Sequence, residues 1–171
     1  MSLTLIGYRA TGKTTLAQLL AQRLDWDWID ADVEIERRAG KSIAEIFAES
    51  GEPAFRDLES AVIADLCRRD RLVVAAGGGA PMRPENRAAM RQGGKVVWLT
   101  ALPETILRRM SGDATTAARR PNLTEKSPLD EIVHLLQVRR PIYQEAADWT
   151  VDTEGKTPDR LADEILARLS S

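Results

Sequence analysis

The residues from Gly7 to Thr15 carry the clearest chemical signal in this chain. They read Gly-Tyr-Arg-Ala-Thr-Gly-Lys-Thr-Thr and match the pattern G-x-x-x-x-G-K-[ST] between an apolar run and a helix-like segment. Such a loop turns backbone N–H groups toward phosphate oxygens, and the dipole of the following helix favours anions. The Lys13 ammonium then reaches the β- and γ-phosphates, and the Thr14 hydroxyl ligates Mg²⁺. The pattern predicts a site for a magnesium-bound nucleoside triphosphate. Its predicted contact residues are Gly7, Ala10, Thr11, Gly12, Lys13, Thr14 and Thr15.

A second candidate is the acidic pair in Asp30-Ala31-Asp32, at the predicted end of the second apolar run. In an extended chain, residues two apart project to the same side with ~6.6 Å between their α-carbons. One carboxylate can then hold Mg²⁺ while the other accepts a hydrogen bond from a hydroxyl that attacks the γ-phosphate. The alternative is a solvated strand end with an aspartate cap. Beside a phosphate loop, we predict that this pair supplies one metal ligand and one catalytic group.

A glycine run and several arginines suggest a site for an anionic substrate. Gly77-Gly78-Gly79 follows the apolar run Leu72 to Ala76, where a substrate could approach the backbone closely. Arginines stand at positions 56, 119, 120, 139 and 140. The planar guanidinium suits both carboxylate and phosphate because it can donate two parallel hydrogen bonds. Sequence position alone does not distinguish these arginines from ordinary surface residues.

The elements that must position these residues alternate along the chain. Apolar runs rich in β-formers occur at residues 3–8, 28–33, 72–76, 96–100 and 149–151, each followed by a helix-like segment. This alternation predicts an α/β domain with a parallel sheet. Ser42 with Glu45, and Thr157 with Pro158, are helix-start signals. The apolar rhythm stops between Met110 and Pro128, which predicts a lid or a disordered segment over residues 111–127.

Composition excludes several classes of protein. The chain has 171 residues, a formal net charge of -2 and one cysteine, Cys67. We expect one domain over residues 1–171, without an intrachain disulfide and without nucleic acid as a partner. No apolar run approaches the ~20 residues of a membrane span. We therefore expect a cytoplasmic protein with no membrane partner. We also expect a monomer.

Taken in order, these residues resemble the shikimate kinases along essentially the whole chain. The resemblance is carried by the phosphate loop, the Asp-x-Asp, Ile46-Phe47, Gly51 to Arg56, the triple glycine, Arg120-Pro121, and Arg139 with Pro141 and Tyr143. It implies a P-loop fold of the nucleoside-monophosphate-kinase type, a three-layer sandwich with a five-stranded parallel sheet and a mobile lid. It also implies transfer of the γ-phosphate of ATP to the 3-hydroxyl of shikimate, a step of aromatic amino-acid biosynthesis.

The resemblance also implies roles for individual residues. Asp32 would bind the ring hydroxyls, Arg56 and Arg139 the carboxylate, Asp30 would lie near Mg²⁺, and Arg120 would reach the transferred phosphate from the lid. The remaining residues of the implied substrate pocket are Phe55, Gly77, Gly78 and Gly79. Lys156 lies in the region where relatives often place an arginine against adenine, and Ala10 where they commonly have a glycine. Arg119 and Arg140 duplicate Arg120 and Arg139, so either member of each pair is a candidate.

Two other functions fit parts of the sequence. The phosphate loop does not specify the acceptor, so a gluconate or nucleotide kinase of the same fold is an alternative. A nucleotide-hydrolysing switch is a less favoured one, because the sequence has no Asn-Lys-x-Asp run and no ordinary acidic Walker B strand.

Overall fold

The computed structural model describes residues 1–112 and 127–171. The described strands form one parallel five-stranded sheet in the order β2-β3-β1-β4-β5. They are β1 (Ser2–Ile6), β2 (Asp27–Asp30), β3 (Leu72–Ala75), β4 (Gly94–Thr100) and β5 (Trp149–Asp152). Most of the predicted lid, including Arg119 and Arg120, lies outside the described residues.

Helices cover both faces of the sheet, as the predicted three-layer sandwich requires. They are α1 (Lys13–Leu24), α2 (Ala31–Ala39), α3 (Ile43–Cys67), α4 (Pro84–Gly93), α5 (Pro103–Ser111), α6 (Pro128–Ala146) and α7 (Pro158–Leu169), with a 3₁₀ turn at Ala80–Met82. One core cluster joins the sheet to α1 and α7. Another joins the opposite face to α2, α3, α4 and α6. The predicted α/β fold with a parallel sheet is confirmed.

Strand β1 lies at the centre of the sheet, paired with β3 on one side and β4 on the other. Leu3, Leu5 and Ile6 are fully buried. A strand covered on both faces reads as a nearly continuous apolar run, which explains the sequence of this segment. The ends of β1 and β3 therefore lie side by side at the edge of the sheet where ligands bind in folds of this type.

Both predicted helix-start signals form caps. The Ser42 hydroxyl accepts a hydrogen bond from the Glu45 N–H at 3.1 Å, and the Thr157 hydroxyl accepts one from the Arg160 N–H at 3.3 Å. Helix α3 is kinked at Gly51, whose φ of 81° lies in the left-handed region. This kink separates the first turns of α3 from the longer part that carries Arg56.

The predicted second strand, residues 28–33, is wrong at its end. Strand β2 stops at Asp30 and helix α2 begins at Ala31. The Asp30 carboxylate accepts hydrogen bonds from the N–H groups of Asp32 and Val33, at 2.9 and 3.4 Å, and so caps the helix. Asp30 and Asp32 are therefore not two residues of an extended chain. The ~6.6 Å spacing expected for strand residues does not apply to them.

Among the described residues, no helix is both long and apolar enough to cross a membrane.

Candidate active site

The phosphate-loop pattern forms the turn between β1 and α1. Gly7 has φ 144°, and a Cβ atom at this position would lie 2.5 Å from the carbonyl oxygen of Leu99 at the end of β4. Gly12 precedes α1 with φ 90°. The Lys13 ammonium donates hydrogen bonds to the carbonyl oxygens of Gly7 and Tyr8, at 2.7 and 2.8 Å. The loop therefore curves around the lysine charge that the pattern assigns to phosphate.

Ala10 lies in the middle of this loop. Its φ of 61° is left-handed, a conformation that costs a residue with a Cβ about 1 kcal/mol or more. Its carbonyl oxygen accepts a hydrogen bond from Arg109 on α5 at 3.2 Å. The Thr11 hydroxyl donates to the Tyr8 carbonyl at 2.7 Å. Sequence reasoning missed Arg109, since nothing in a helical Arg-Arg pair marks a contact with a loop 99 residues earlier.

Thr14 and Asp30 meet at the point where a metal ligand pair is predicted. The Thr14 hydroxyl donates to Asp30 Oδ2 at 2.7 Å, while Asp30 Oδ1 accepts the α2 hydrogen bonds. The described residues contain no group of three or more His, Cys, Asp or Glu side chains that could hold a metal. One carboxylate and one hydroxyl fit Mg²⁺, which usually keeps several waters and takes further oxygens from phosphates.

Asp32 lies in the first turn of α2, where it is half-buried. Its negative charge is favourable there because the helix N-terminus carries a partial positive charge. The end of β2 and the first turn of α2 therefore bring Asp30 and Asp32 to the same end of the sheet. Thr15, by contrast, lies on an exposed part of the first turn of α1.

Arg56 lies between an aromatic ring and the glycine run. Its Nη1 donates to Glu59 at 2.8 Å, its Cζ lies 5.1 Å from the centre of the Phe55 ring, and its side chain is 11% exposed. A Cβ atom at Gly79 would lie 2.5 Å from Arg56 Nη2. Phe55 itself is buried, with its ring centre 4.9 Å from that of Phe47. The guanidinium can occupy this place because Gly79 has no side chain.

Arg139 has a matching position one residue earlier in the glycine run. It is 7% exposed, and its Cζ lies 5.6 Å from the centre of the Tyr8 ring. A Cβ atom at Gly78 would lie 3.1 Å from Arg139 Nη1, and the Gly78 carbonyl accepts a hydrogen bond from the Tyr143 hydroxyl at 2.6 Å. Arg139 forms no salt bridge with any carboxylate in the part of the chain that the structure describes. A buried cation in this state is stabilised when an anion binds it.

The structure also separates the two candidate arginines at the end of α6. Arg140 is exposed and lines an open groove with Trp98, Thr100 and Gln144. Arg139 is directed to the glycine run. The geometry therefore favours Arg139 as the substrate-binding member of the pair.

Two predicted residues stand apart from this group. Lys156, in the turn after β5, pairs with Glu164 of α7 at 3.0 Å and is partly exposed. The Gly77 carbonyl accepts the N–H of Ala80 and so starts the 3₁₀ turn that follows β3. Arg120 falls in the segment that the structure does not describe, together with Arg119.

Comparison with known proteins agrees with this geometry. A family model described as shikimate kinase matches residues 9–170. The shikimate kinase of Rhodopirellula baltica is 46% identical over 164 residues, covering 96% of this chain and 88% of its own. That of Pseudomonas savastanoi pv. phaseolicola is 44% identical and covers 99% and 96%.

Solved structures extend the comparison to three dimensions. The Acinetobacter baumannii shikimate kinase in complex with shikimate has a TM-score of 0.91 at 36% identity, covering 98% of this chain and 92% of its own. The Aquifex aeolicus shikimate kinase has a TM-score of 0.84 at 36% identity, covering 99% and 96%. A Sinorhizobium meliloti gluconokinase, at 15% identity and a TM-score of 0.60, shares the fold alone. The predicted fold and kinase activity are confirmed, and the chain belongs to the shikimate kinase family.

Proposed function

We propose that this chain transfers the γ-phosphate of ATP to the 3-hydroxyl of shikimate, giving shikimate 3-phosphate and ADP. The observation that carries the proposal is the pair Arg56 and Arg139. Their guanidinium groups lie against successive glycines, Gly79 and Gly78, at the end of β3. Strand β3 is the neighbour of β1, which leads into the phosphate loop. This arrangement supports a site with two cations for a carboxylate beside a cradle for triphosphate.

The phosphates of ATP would lie on the loop from Gly7 to Thr15, with the Lys13 ammonium on the β- and γ-phosphates. Thr14 and Asp30 would hold Mg²⁺, which offsets charge on those phosphates when it is bound. Arg120, from outside the described residues, would reach the transferred group. Lys156 would lie near adenine. It is in the turn after β5, where its ammonium pairs with Glu164.

Asp32 would act on the acceptor. Its carboxylate would orient the 3-hydroxyl and take its proton as the hydroxyl oxygen forms the new bond to phosphorus. The bond between the γ-phosphorus and the bridging oxygen breaks, and ADP leaves with that oxygen. Arg56 and Arg139 hold the distant carboxylate of the substrate, so their contribution is to binding more than to the chemical step.

The assay is ADP release from Mg-ATP with shikimate, quinate, gluconate or nucleoside monophosphates as the acceptor. Stimulation by shikimate alone is expected, and Lys13→Ala should nearly abolish it because a charge aimed at the moving phosphoryl is removed. Stimulation by another acceptor would overturn the substrate assignment. Release that needs no acceptor would indicate a hydrolase.

A matched pair of variants tests the acid-binding assignment. Arg139→Met should raise the KM for shikimate at least tenfold with a smaller change in kcat, because a group remote from the chemistry is lost. The neighbouring change Arg140→Met should leave the KM for shikimate within twofold. Equal effects of the two changes would remove Arg139 from the site.

The proposal includes a single domain over residues 1–171 that acts as a monomer in the cytoplasm, without a nucleic-acid or membrane partner. Light scattering on the purified chain measures its mass in solution. A mass near 37.8 kDa, twice the 18.9 kDa of one chain, would contradict the monomer.

A further inference from the structure

The Tyr8 ring lies close to two guanidinium groups at once. Its centre is 5.6 Å from Cζ of Arg139 and 5.7 Å from Cζ of Arg9. The side chain is 1% exposed and packs against Ile106 and Ile132. A cation near an aromatic face is attracted by the ring quadrupole, and the attraction is stronger when water is excluded. Tyr8 therefore holds cationic side chains at the edge of the predicted substrate pocket.

The phenol hydroxyl contributes little to this arrangement. It is buried and makes no hydrogen bond within the described residues. A buried hydroxyl without a partner is unfavourable relative to a ring that lacks it. The ring, and not its hydroxyl, is therefore the part of Tyr8 that acts on the neighbouring arginines.

The two arginines differ in what balances their charge. Arg9 pairs with Glu131 of α6 at 3.2 Å, and these side chains are 14% and 2% exposed. Arg139 has no such carboxylate among the residues that the structure describes. The Glu131 carboxylate thus offsets the charge of Arg9, while the Arg139 guanidinium lies against Gly78.

We propose that Tyr8 is a positioning residue for acid binding: its ring holds the Arg139 guanidinium against Gly78, where that guanidinium receives the carboxylate of the substrate. The pair of Glu131 with Arg9 keeps the second guanidinium from competing for the same acid. This inference rests on the proposed function, because the acid in question is shikimate. It adds a determinant of acceptor affinity inside a loop whose predicted role is to bind nucleotide.

Three variants at one position separate the ring from the hydroxyl. Tyr8→Leu should raise the Kd and KM for shikimate about 3- to 30-fold, the range expected for loss of one desolvated cation–π contact. The kcat and the Kd for ATP should change by smaller factors than the KM and Kd for shikimate. Tyr8→Phe should restore shikimate affinity to within twofold of wild type. Tyr8→Met repeats the test with an unbranched side chain if Tyr8→Leu unfolds below the assay temperature.

A double-mutant cycle shows whether Tyr8 acts through Arg139. In an Arg139→Met background, Tyr8→Leu should cause no further loss of shikimate affinity. Additive losses would overturn the inference, as would equal effects of Tyr8→Phe and Tyr8→Leu, or a weakening of ATP binding larger than that of shikimate.

Calorimetric titration of the wild-type chain with shikimate distinguishes failure of the proposed function from failure of the positioning role alone. If wild type binds no shikimate, the proposed function fails and the inference fails with it. If wild type binds shikimate and Tyr8→Leu binds it equally well, the proposed function stands and the positioning role alone is overturned.

Discussion

At the scale of single residues, Ala10 shows how one side chain strains the phosphate loop. The family resemblance marks this position as commonly glycine, and the structure supplies the physical reason, a left-handed φ of 61°. A Cβ atom costs about 1–2 kcal/mol in this region, whereas glycine loses about 0.5–1 kcal/mol more chain entropy on folding. The two effects oppose each other, and the strain is the larger.

Ala10→Gly should therefore stabilise the folded chain by up to about 1 kcal/mol, measured by urea unfolding. Ala88→Gly is the matched control, because Ala88 is an exposed residue inside α4. There the same change should destabilise the chain by about 1 kcal/mol. A loss of stability at both positions would show that Ala10 is not strained.

Because Gly79 has no side chain, the Arg56 guanidinium can lie directly against it. Gly79→Ala would place a Cβ atom 2.5 Å from Arg56 Nη2, so the guanidinium must move. We expect a tenfold or larger rise in the KM for shikimate with little change in the KM for ATP, measured by steady-state kinetics. Gly40→Ala is the control: Gly40 is left-handed and has open space around it, so that change should cost stability and leave both KM values unchanged. A similar KM for shikimate in both variants would contradict the clash.

At the scale of elements, the junction of β2 with α2 shows what sequence patterns can predict and what they cannot. Hydrophobic runs predicted five strands, and all five are present within a few residues. The same reasoning extended β2 through Ala31 to Val33 because alternation does not show where a cap begins. The sequence predicts Asp30 as a metal ligand, with a cap as the alternative. The structure shows one carboxylate that caps α2 and also meets Thr14.

Glu34 joins α2 to α3 through a chain of charges. It pairs with Arg37 and Arg38, and Arg38 also reaches Asp65 of α3. Hydrogen bonding from Arg37, followed by that from Arg38, lowers the pKa of the nearly buried Glu34 to about 2. A lowered pKa in the folded state stabilises the chain above the ordinary carboxyl pKa, and this contribution is lost as pH falls.

Glu34→Gln should therefore destabilise the chain by about 1–3 kcal/mol at pH 7. The difference between wild type and variant should be complete above about pH 4.5 and shrink as pH falls toward 2. Urea unfolding at a series of pH values measures it. A difference that stays constant from pH 7 to pH 2.5 would show that packing, and not the charge of Glu34, is responsible.

At the scale of the whole molecule, the site depends on which strands are neighbours. The sequence predicted the phosphate loop, the Asp pair and the triple glycine separately. Their assembly follows from the order β2-β3-β1, which places the ends of three strands together. Strand order is set by packing between distant segments, so local patterns could not predict it. The choice between Arg139 and Arg140 has the same origin, because it depends on how α6 is rotated against Tyr8 and Gly78.

This assembly predicts that shikimate and ATP stabilise the folded chain independently of each other. At 100 times its Kd, a ligand that binds the folded chain adds about 2.7 kcal/mol, which should raise the Tm by about 5–10 °C. Thermal unfolding should show this rise with shikimate and with a non-hydrolysable ATP analogue in wild type. Arg139→Met should lose most of the shift caused by shikimate and keep that caused by the analogue. Loss of both shifts would mean that Arg139 supports the whole site.

The triple glycine also bears on the design of inhibitors. Its wall beside Arg56 and Arg139 is backbone, and a side chain added at Gly78 or Gly79 would press on one of these guanidinium groups. An acidic inhibitor whose ring lies flat against that wall would touch Gly78 and Gly79. A resistance mutation at either position would also displace a guanidinium group that we propose binds the substrate. Resistance mutations at Gly78 or Gly79 should therefore be rare. Resistant variants selected against such a compound should carry their changes elsewhere in the pocket.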